Sequence, residues 1–291
     1  MQKRRAPETA GIFEAFGWML GYLFGQGVVL AVLVAVLFVA FFGLRWPDEQ
    51  LVIKLILDLN LDRSFLLIGA TSLGVLFLIV PAVRLREGPH FRERIGWRMP
   101  THEEIVYSLA TVVPIATLGN LTYDVTHRWW SQGFRLWPFA AALRETSLDM
   151  IYSTFQGVPY PVLIVALALG PAVGEEIVFR GVIGRRLVNR FGLVQGILGS
   201  SILFALAHGS VPHILATLPV AVLLHVLYIW TGTIWVPVLV HFCNNLLAIS
   251  MVRFQIGTQD PVSPMLTAVF MIYLFGILYL LRSRRATQFG M

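Results

Sequence analysis

Uncharged, apolar runs recur along the whole chain, and they restrict the fold more than any other feature of the sequence. A helix of about 20 apolar residues spans the hydrocarbon core of a bilayer, where backbone groups must be satisfied within the helix itself. The runs predict eight transmembrane helices. They lie at about residues 27–44, 65–83, 105–121, 159–182, 193–208, 213–230, 234–252 and 264–281.

The composition agrees with a membrane protein and excludes a soluble globular domain. Of the 291 residues, 57% are hydrophobic and 13% are charged, whereas soluble domains have about 45–50% apolar and about 25% charged residues. Polar residues are too few to cover the surface of a soluble domain of this size. We therefore predict an all-α, polytopic integral membrane helical bundle of about eight transmembrane helices, embedded in a lipid bilayer.

The distribution of polar residues divides this predicted single domain, 1–291, into three parts. The predicted helices within 1–150 hold few ionisable residues and are interpreted as a scaffold. Ionisable residues concentrate within 158–250, the predicted catalytic core, and a last helix follows at 264–281. The single cysteine, Cys243, excludes an intrachain disulfide and a multi-cysteine metal site.

Basic residues predict the orientation in the membrane. The excess of 22 Lys and Arg over 16 Asp and Glu would suit a nucleic acid, but these residues lie in short clusters between apolar runs, so no nucleic-acid partner is expected. Eight crossings put most of them on one side, which the positive-inside rule makes cytoplasmic. We predict a bacterial or archaeal cell-membrane protein with both termini cytoplasmic. The clusters are Lys3, Arg4 and Arg5; Arg84, Arg86, Arg92, Arg94 and Arg98; Arg180, Arg185, Arg186 and Arg190; and Arg282, Arg284 and Arg285.

Two segments outside the predicted spans have structural interpretations. Residues 11–25 form either an amphipathic interfacial helix or an extension of the first transmembrane helix. The segment 122–158 is the longest predicted loop, and its Trp129, Trp130 and Trp137 suit the interfacial belt of a membrane protein.

The stretch GEEIVFRG, residues 174–181, places three charges at the end of an apolar run. Charge at membrane depth is costly and is commonly functional and paired. Glu176 and Arg180 are four residues apart with the acid first, which favours an ion pair on one helix face. Glu175 is turned by about 100° from Glu176 and faces elsewhere. The structural alternative is a salt-bridge cluster at the helix end, with Arg180 joined by Arg185 and Arg186.

Two further motifs place polar residues at a similar depth. His208 ends the stretch FALAH (204–208), and His241 and Asn245 share a helix face in HFCNN (241–245). Glu175 lies 16 residues before Phe191 and His208 lies 16 residues after Gly192, so antiparallel helices bring both to one level. Outside these motifs, His213 and His225 are interpreted as structural, the first at a helix start and the second in the bundle; Phe204 is interpreted as packing.

These residue types together suit the hydrolysis of a peptide bond. A carboxylate beside an imidazole positions a water molecule and removes its proton. A second imidazole and an amide on another helix can donate hydrogen bonds to the oxyanion of a tetrahedral intermediate. The G-x-S-x-G signature of a serine nucleophile is absent from the sequence, and Cys243 lies off the face that His241 and Asn245 share.

The three motifs resemble those of the CAAX prenyl protease and bacteriocin-processing membrane protein family, in order and in helix placement. They are EExxxR (Glu175, Glu176, Arg180), FxxxH (Phe204, His208) and HxxxN (His241, Asn245), and the resemblance covers about residues 158–250. It implies an intramembrane endopeptidase whose prenylated CAAX substrates lose their last three residues. Carried over by motif, Glu175 is the general base, His208 positions the water, His241 and Asn245 form the oxyanion hole, and Glu176 and Arg180 orient the site.

Several alternatives remain compatible with the sequence. Glu175, His208 and His241 could instead bind a catalytic zinc ion, although the H-E-x-x-H motif is absent and an Asn amide suits an oxyanion better than zinc. We therefore expect no cofactor. A transporter would predict paired, broken helices, and no such symmetry is found. A non-catalytic membrane scaffold that binds a peptide or lipidated-protein partner needs similar polar groups, so the expected partner is a peptide or lipidated protein in either case.

Overall fold

A computed structural model describes residues 11–42, 76–135, 158–256 and 263–289, and these residues form helices joined by short turns. A helix satisfies its backbone hydrogen bonds internally, which is the requirement that lipid imposes on apolar segments. The helices are α1 (Ile12–Phe42), α2 (Leu76–Glu87), α3 (Phe91–Arg94), α4 (His102–Leu109), α5 (Val112–Arg135), α6 (Tyr160–Phe191), α7 (Leu193–Leu206), α8 (Val211–Thr231), α9 (Trp235–Phe254) and α10 (Pro264–Phe289).

The predicted polytopic helical membrane bundle is confirmed. Within the described residues, six helical segments are long and apolar enough to cross a membrane, with α4 and α5 forming one of them, and α7 is a shorter apolar helix. Of the predicted helix 65–83, residues 65–75 lie outside the described part, and the remainder falls in α2. In an apolar 18-residue window of α6 and of α8, 56% of the residues are buried, against 22% in such a window of α1 and of α10, so α6 and α8 form the centre of the bundle.

Two boundary predictions need correction. Helix α1 is continuous from Ile12, so residues 11–25 extend the first transmembrane helix, and its candidate span is Ile12–Val32. Helix α5 continues to Arg135, so the first part of the predicted loop 122–158 is helical and carries Trp129 and Trp130. Polar residues there remain compatible with a helix because their side chains bond its backbone, as Arg128 Nε does to the Asp124 carbonyl (3.0 Å). Trp137 lies outside the described residues.

Helix α6 departs twice from α-helical geometry. Its Ile164–Leu169 and Ile177–Gly184 segments are π-helical, and the α-helical turn Gly170–Glu176 lies between them. A π segment widens the helix and re-aims the side chains that follow it, and such segments are frequent at functional sites. Glu175 and Glu176 end the intervening turn, so the two predicted catalytic-core carboxylates lie at a change of helical geometry.

Close contacts hold the neighbouring helices against α6. The Ser200 hydroxyl of α7 donates to the Phe179 carbonyl (2.9 Å). The ring of His225 in α8 lies against Gly184, where a β-carbon would overlap it. At the opposite end, the hydroxyls of Tyr160 and Ser250 share a hydrogen bond of 2.6 Å and join α6 to α9. His225 is thus a buried packing residue, as predicted.

A pair of glycine turns fixes the segment before α4 against the α8–α9 turn. Gly96 and Gly232 both have left-handed backbone, with φ of 69° and 67°, a conformation that glycine adopts without steric cost. A β-carbon on Gly96 would lie 2.6 Å from the Gly232 carbonyl oxygen. The Ile234 amide donates to the Gly96 carbonyl (2.9 Å), and the Arg98 side chain donates to the Thr231 carbonyl.

An ion cluster joins α1, α2, α3 and α6 at one end of the bundle; its members are Glu14, Arg86, Glu87, Arg94, Arg185 and Arg186. Glu87 is fully buried, accepts two hydrogen bonds from Arg186 (2.7 and 3.1 Å) and pairs with Arg185. Glu14 accepts from Arg86 (2.8 Å) and from Arg186 (2.9 Å). The sequence predicted that the start of α1, the end of α2 and the end of α6 lie on the same side of the membrane. The contacts between them agree with this prediction.

We expect Glu87→Ala to destabilise the protein by about 3–5 kcal/mol, because it removes the buried carboxylate that pairs with three arginines. The matched control is Glu93→Ala. The Glu93 side chain is 82% exposed beside His90, and its loss should change stability by less than about 1 kcal/mol. Thermal unfolding of both purified variants in detergent measures the difference. Equal midpoints for the two variants would contradict the structural role of the cluster.

Candidate active site

The ion pair predicted from the Glu176–Arg180 spacing is present and fully buried. Arg180 Nη1 donates to Glu176 Oε1 at 2.8 Å, and the exposed fractions of the two side chains are 1% and 0%. Arg180 Nη2 donates to the Ala221 carbonyl of α8 (3.1 Å), and the guanidinium carbon lies 4.2 Å from the centre of the Phe204 ring. The pair therefore connects α6 with α7 and α8 at the centre of the bundle.

The His241 imidazole lies between the two carboxylates of α6. Its Nδ1 is 2.8 Å from Glu176 Oε1, and its Nε2 is 3.9 Å from Glu175 Oε2. An ionised carboxylate only accepts hydrogen bonds, so Nδ1 carries a proton and donates a hydrogen bond to Glu176. The other nitrogen then faces Glu175. Glu176, with Arg180 behind it, thus fixes the orientation of the His241 ring.

Glu175 differs from its neighbour in partners and in exposure. Glu176 is 0% exposed and bonds Arg180 and His241 through Oε1, whereas the Glu175 side chain is 16% exposed. The Oε2 atom of each carboxylate is buried and makes no hydrogen bond. The separation of 3.9 Å from His241 Nε2 exceeds a direct hydrogen bond. A carboxylate with an unused oxygen, next to an imidazole nitrogen, can accept a proton from a bound molecule.

Phe204 forms the common wall between the charged residues of this site. Its ring centre is 5.1 Å from that of Phe179, 5.0 Å from that of His208 and 5.9 Å from that of His241. This aromatic contact, together with the Arg180 guanidinium over its face, gives Phe204 the packing role that the sequence predicted. It also brings the first histidine of the motifs next to the second.

The backbone sets the tautomer of His208. Its Nδ1 is 2.9 Å from the Phe204 carbonyl oxygen, an acceptor, so Nδ1 carries the proton and Nε2 carries the lone pair. The His208 ring also packs edge-on against His213 of α8, at 4.7 Å between centres. His213 lies in the first turn of α8, as predicted. Its contact with His208, a candidate catalytic residue, was not predicted, because sequence spacing does not show which side chains meet when a turn lies between them.

Asn245 lies one helical turn from His241 and bonds α6. Its amide nitrogen donates to the Leu167 carbonyl at 3.3 Å, within the first π segment. The amide group has two donor hydrogens, so one bond to Leu167 does not use its full capacity. The bond fixes Asn245 on the α6 side of α9, the side on which His241 meets the two glutamates.

The structure brings together the sequence-predicted residues Glu175, Glu176, Arg180, Phe204, His208 and His241, with Asn245 one turn away. The alternative cluster of the site glutamates with Arg185 and Arg186 is not formed, because both arginines pair with Glu87. Sequence reasoning missed the backbone acceptors Ala221 and Leu167, since a carbonyl leaves no signal in the residue type.

The described residues contain no group of three or more His, Cys, Asp and Glu side chains placed to bind a metal ion. The three residues of the zinc alternative make the following contacts. Nδ1 of His208 faces a carbonyl, Nδ1 of His241 faces Glu176, and the approach of Glu175 to His241 is 3.9 Å. The arrangement can supply a carboxylate base and an imidazole of fixed orientation. It can also supply hydrogen-bond donors from an amide and an imidazole.

Comparisons with known proteins identify one matching family model. Residues 157–247 match the family model described as type II CAAX prenyl endopeptidase Rce1-like. The matched segment contains α7, α8 and the motif-bearing parts of α6 and α9. The family resemblance indicated by the three motifs is confirmed for the helices that carry them. This match supports a function as a membrane protease.

The curated relatives include a Bacillus subtilis (strain 168) protein named "Putative membrane peptidase YdiL". It is 29% identical to this chain over 113 residues, which are 39% of this chain and 46% of the relative. The match thus spans about half of the relative's length. No solved structure matches the chain.

We expect Glu176→Gln to destabilise the protein by about 3–5 kcal/mol, because it leaves the Arg180 charge buried without its counter-ion. The double variant Glu176→Gln, Arg180→Met removes both charges and should recover much of that loss. Thermal unfolding of the single and double variants in detergent measures both changes. A double variant less stable than the single one would show that the pair does not act as one unit.

Proposed function

We propose that this protein is an intramembrane endopeptidase in which Glu175 activates water for attack on a peptide bond. The observation that carries the proposal is the position of the Glu175 carboxylate, which is 16% exposed and 3.9 Å from His241 Nε2, while the Arg180 charge is paired with the fully buried Glu176. The family match over residues 157–247 supports the same kind of reaction. The chemistry requires a base, a donor for the oxyanion and a proton for the leaving amine.

In the first step, Glu175 removes a proton from a water molecule while the water oxygen bonds the carbonyl carbon of the substrate. His208 orients this water through Nε2, which carries the lone pair because Nδ1 donates to Phe204. The carbonyl π electrons move to oxygen and form an oxyanion. The proton on Glu175 then passes to the amide nitrogen, the C–N bond breaks, and a carboxylic acid and an amine are released.

Donors from α9 stabilise the oxyanion. An Asn245 amide hydrogen can donate directly. His241 can donate through Nε2 only as an imidazolium, because its Nδ1 proton is already bonded to Glu176. Glu176 and Arg180 thus have an orienting role: one carboxylate oxygen fixes the imidazole, and the guanidinium holds that carboxylate.

The proposed substrate is a peptide presented from the membrane. A prenylated C-terminal CAAX peptide is the first substrate to test, since the matched family model is named for that reaction. A non-catalytic scaffold that binds a peptide is the second candidate, because the same polar groups could hold a peptide without cleaving it. The two candidates differ in their dependence on the Glu175 carboxylate.

We expect purified protein in lipid nanodiscs to cleave a fluorogenic farnesylated CAAX peptide, and Glu175→Gln to lower kcat by about 100-fold or more, the range for loss of a general base. Glutamine preserves the shape of the side chain and removes the basic oxygen. The measurement is initial rate against substrate concentration for both proteins, with cleavage products identified by mass spectrometry.

Glu93→Gln is the matched control, since Glu93 is exposed and contacts His90, which is not a residue of the site. It should retain wild-type kinetics. The same peptide without farnesyl tests whether the lipid group is required. Equal rates for wild type and Glu175→Gln would contradict the proposed base. Binding of the peptide with no cleavage by wild type would favour the scaffold.

Zinc dependence is tested in the same assay with a chelator. The proposed reaction uses protein groups alone, so dialysis against 1,10-phenanthroline should leave the rate unchanged. Loss of activity that zinc restores would assign Glu175, His208 and His241 to a metal site instead, with the metal supplying an activated water.

We propose that the end of the bundle with the ion cluster faces the cytoplasm, together with both termini. Excess basic charge at this end supports this orientation through the positive-inside rule. A green fluorescent protein fused to the C-terminus should fluoresce in bacterial cells, and an alkaline phosphatase fusion at the same position should be inactive. The reverse pattern would place the termini outside.

A further inference from the structure

Tyr22 of α1 places a buried hydroxyl next to the motif-bearing turn of α6. The residue is 2% exposed, and its hydroxyl makes no hydrogen bond of normal geometry. A β-carbon built on Gly174 would lie 2.9 Å from this hydroxyl oxygen. Gly174 immediately precedes Glu175 in α6, so the hydroxyl contacts the backbone next to this carboxylate.

The ring of Tyr22 is held from two sides. It packs edge-on against Phe179, with ring centres 6.4 Å apart, and its hydroxyl end lies against Gly174, where the absence of a side chain allows the close approach. Gly174 precedes Glu175 and Glu176 in α6 and Phe179 follows them, so Tyr22 contacts α6 on both sides of the two glutamates in the sequence.

Packing alone does not account for the hydroxyl. A buried polar group without a hydrogen bond destabilises a protein, and phenylalanine would fill the same space without that penalty. Gln26 lies one turn further along α1 and approaches the hydroxyl without a hydrogen bond of normal geometry, which adds a second polar side chain to this lipid-spanning helix. Polar groups placed in a transmembrane helix toward the bundle interior are commonly functional.

We propose that Tyr22 is a further residue of the active site, whose hydroxyl donates a hydrogen bond to the peptide group bound against Glu175. The inference rests on the proposed peptidase function and deepens it. It makes α1 a wall of the substrate site, opposite the donors of α9. The buried hydroxyl and the buried carboxylate oxygen then have one common partner, which is the substrate.

We expect Tyr22→Phe to lower kcat/KM by about tenfold, the effect of one lost hydrogen bond, and to leave the unfolding temperature equal or higher. The matched control is Tyr228→Phe. Tyr228 is also buried, at 6% exposed, but it packs beside His225 of α8, so its variant should keep wild-type kinetics. The measurements are the farnesyl-peptide assay and thermal unfolding in detergent.

A second variant tests the placement of the hydroxyl. Gly174→Ala adds a methyl group at the hydroxyl position and should also lower activity, because the tyrosine must shift. Without the hydroxyl, the nearest atoms to that methyl are a ring carbon at 3.4 Å and Leu76 Cδ2 at 3.6 Å, which are ordinary contacts. Gly174→Ala should therefore cost little more activity when combined with Tyr22→Phe, so the two changes should not be additive.

The outcomes separate this inference from the proposed function. Wild-type cleavage that requires Glu175 but is unchanged in Tyr22→Phe would overturn the role of Tyr22 and leave the peptidase intact. A marked fall in the unfolding temperature of Tyr22→Phe would overturn it too, even for a chain with no peptidase activity, since the hydroxyl would then be structural. Additive losses for Tyr22→Phe and Gly174→Ala would contradict the proposed placement.

Discussion

One buried carboxylate oxygen, Glu176 Oε1, accepts hydrogen bonds from both Arg180 and His241, at 2.8 Å each. Removing charges from water is costly, and a buried pair persists only when its geometry and additional hydrogen bonds compensate. Here the Ala221 carbonyl and the Phe204 ring complete the surroundings of the guanidinium. Four helices are therefore held in one arrangement by the need to satisfy a single ion pair.

That arrangement places the two adjacent glutamates in different surroundings. Glu176 is paired with Arg180 and 0% exposed, whereas Glu175 is 16% exposed and lies 3.9 Å from His241 Nε2. A general base must be available to its substrate, and an orienting residue must not move. The α-helical turn between two π segments puts successive residues into these different surroundings. The proposed reaction depends on this asymmetry, because two equivalent carboxylates would compete for the same partners.

The remaining charges of the central helix serve a different purpose. Arg185 and Arg186 follow the second π segment and bond Glu87 of α2 at one end of the bundle. Their ion cluster ties α1 and α2 to the end of α6, while Tyr22 of α1 approaches its middle. The N-terminal helix, interpreted from the sequence as scaffold, therefore also adjoins the candidate active site.

The sequence alone determined the membrane fold, the three motifs and the Glu176–Arg180 pair, because hydrophobic length and helical spacing are local properties of the chain. It did not determine that His241 bonds Glu176, that His213 packs on His208, or that Tyr22 approaches Gly174. Nor did the residue types indicate the two π segments of α6. These features were decided by the tertiary structure, because they depend on which helices meet and at what depth, and distant residues share a site only after the helices pack.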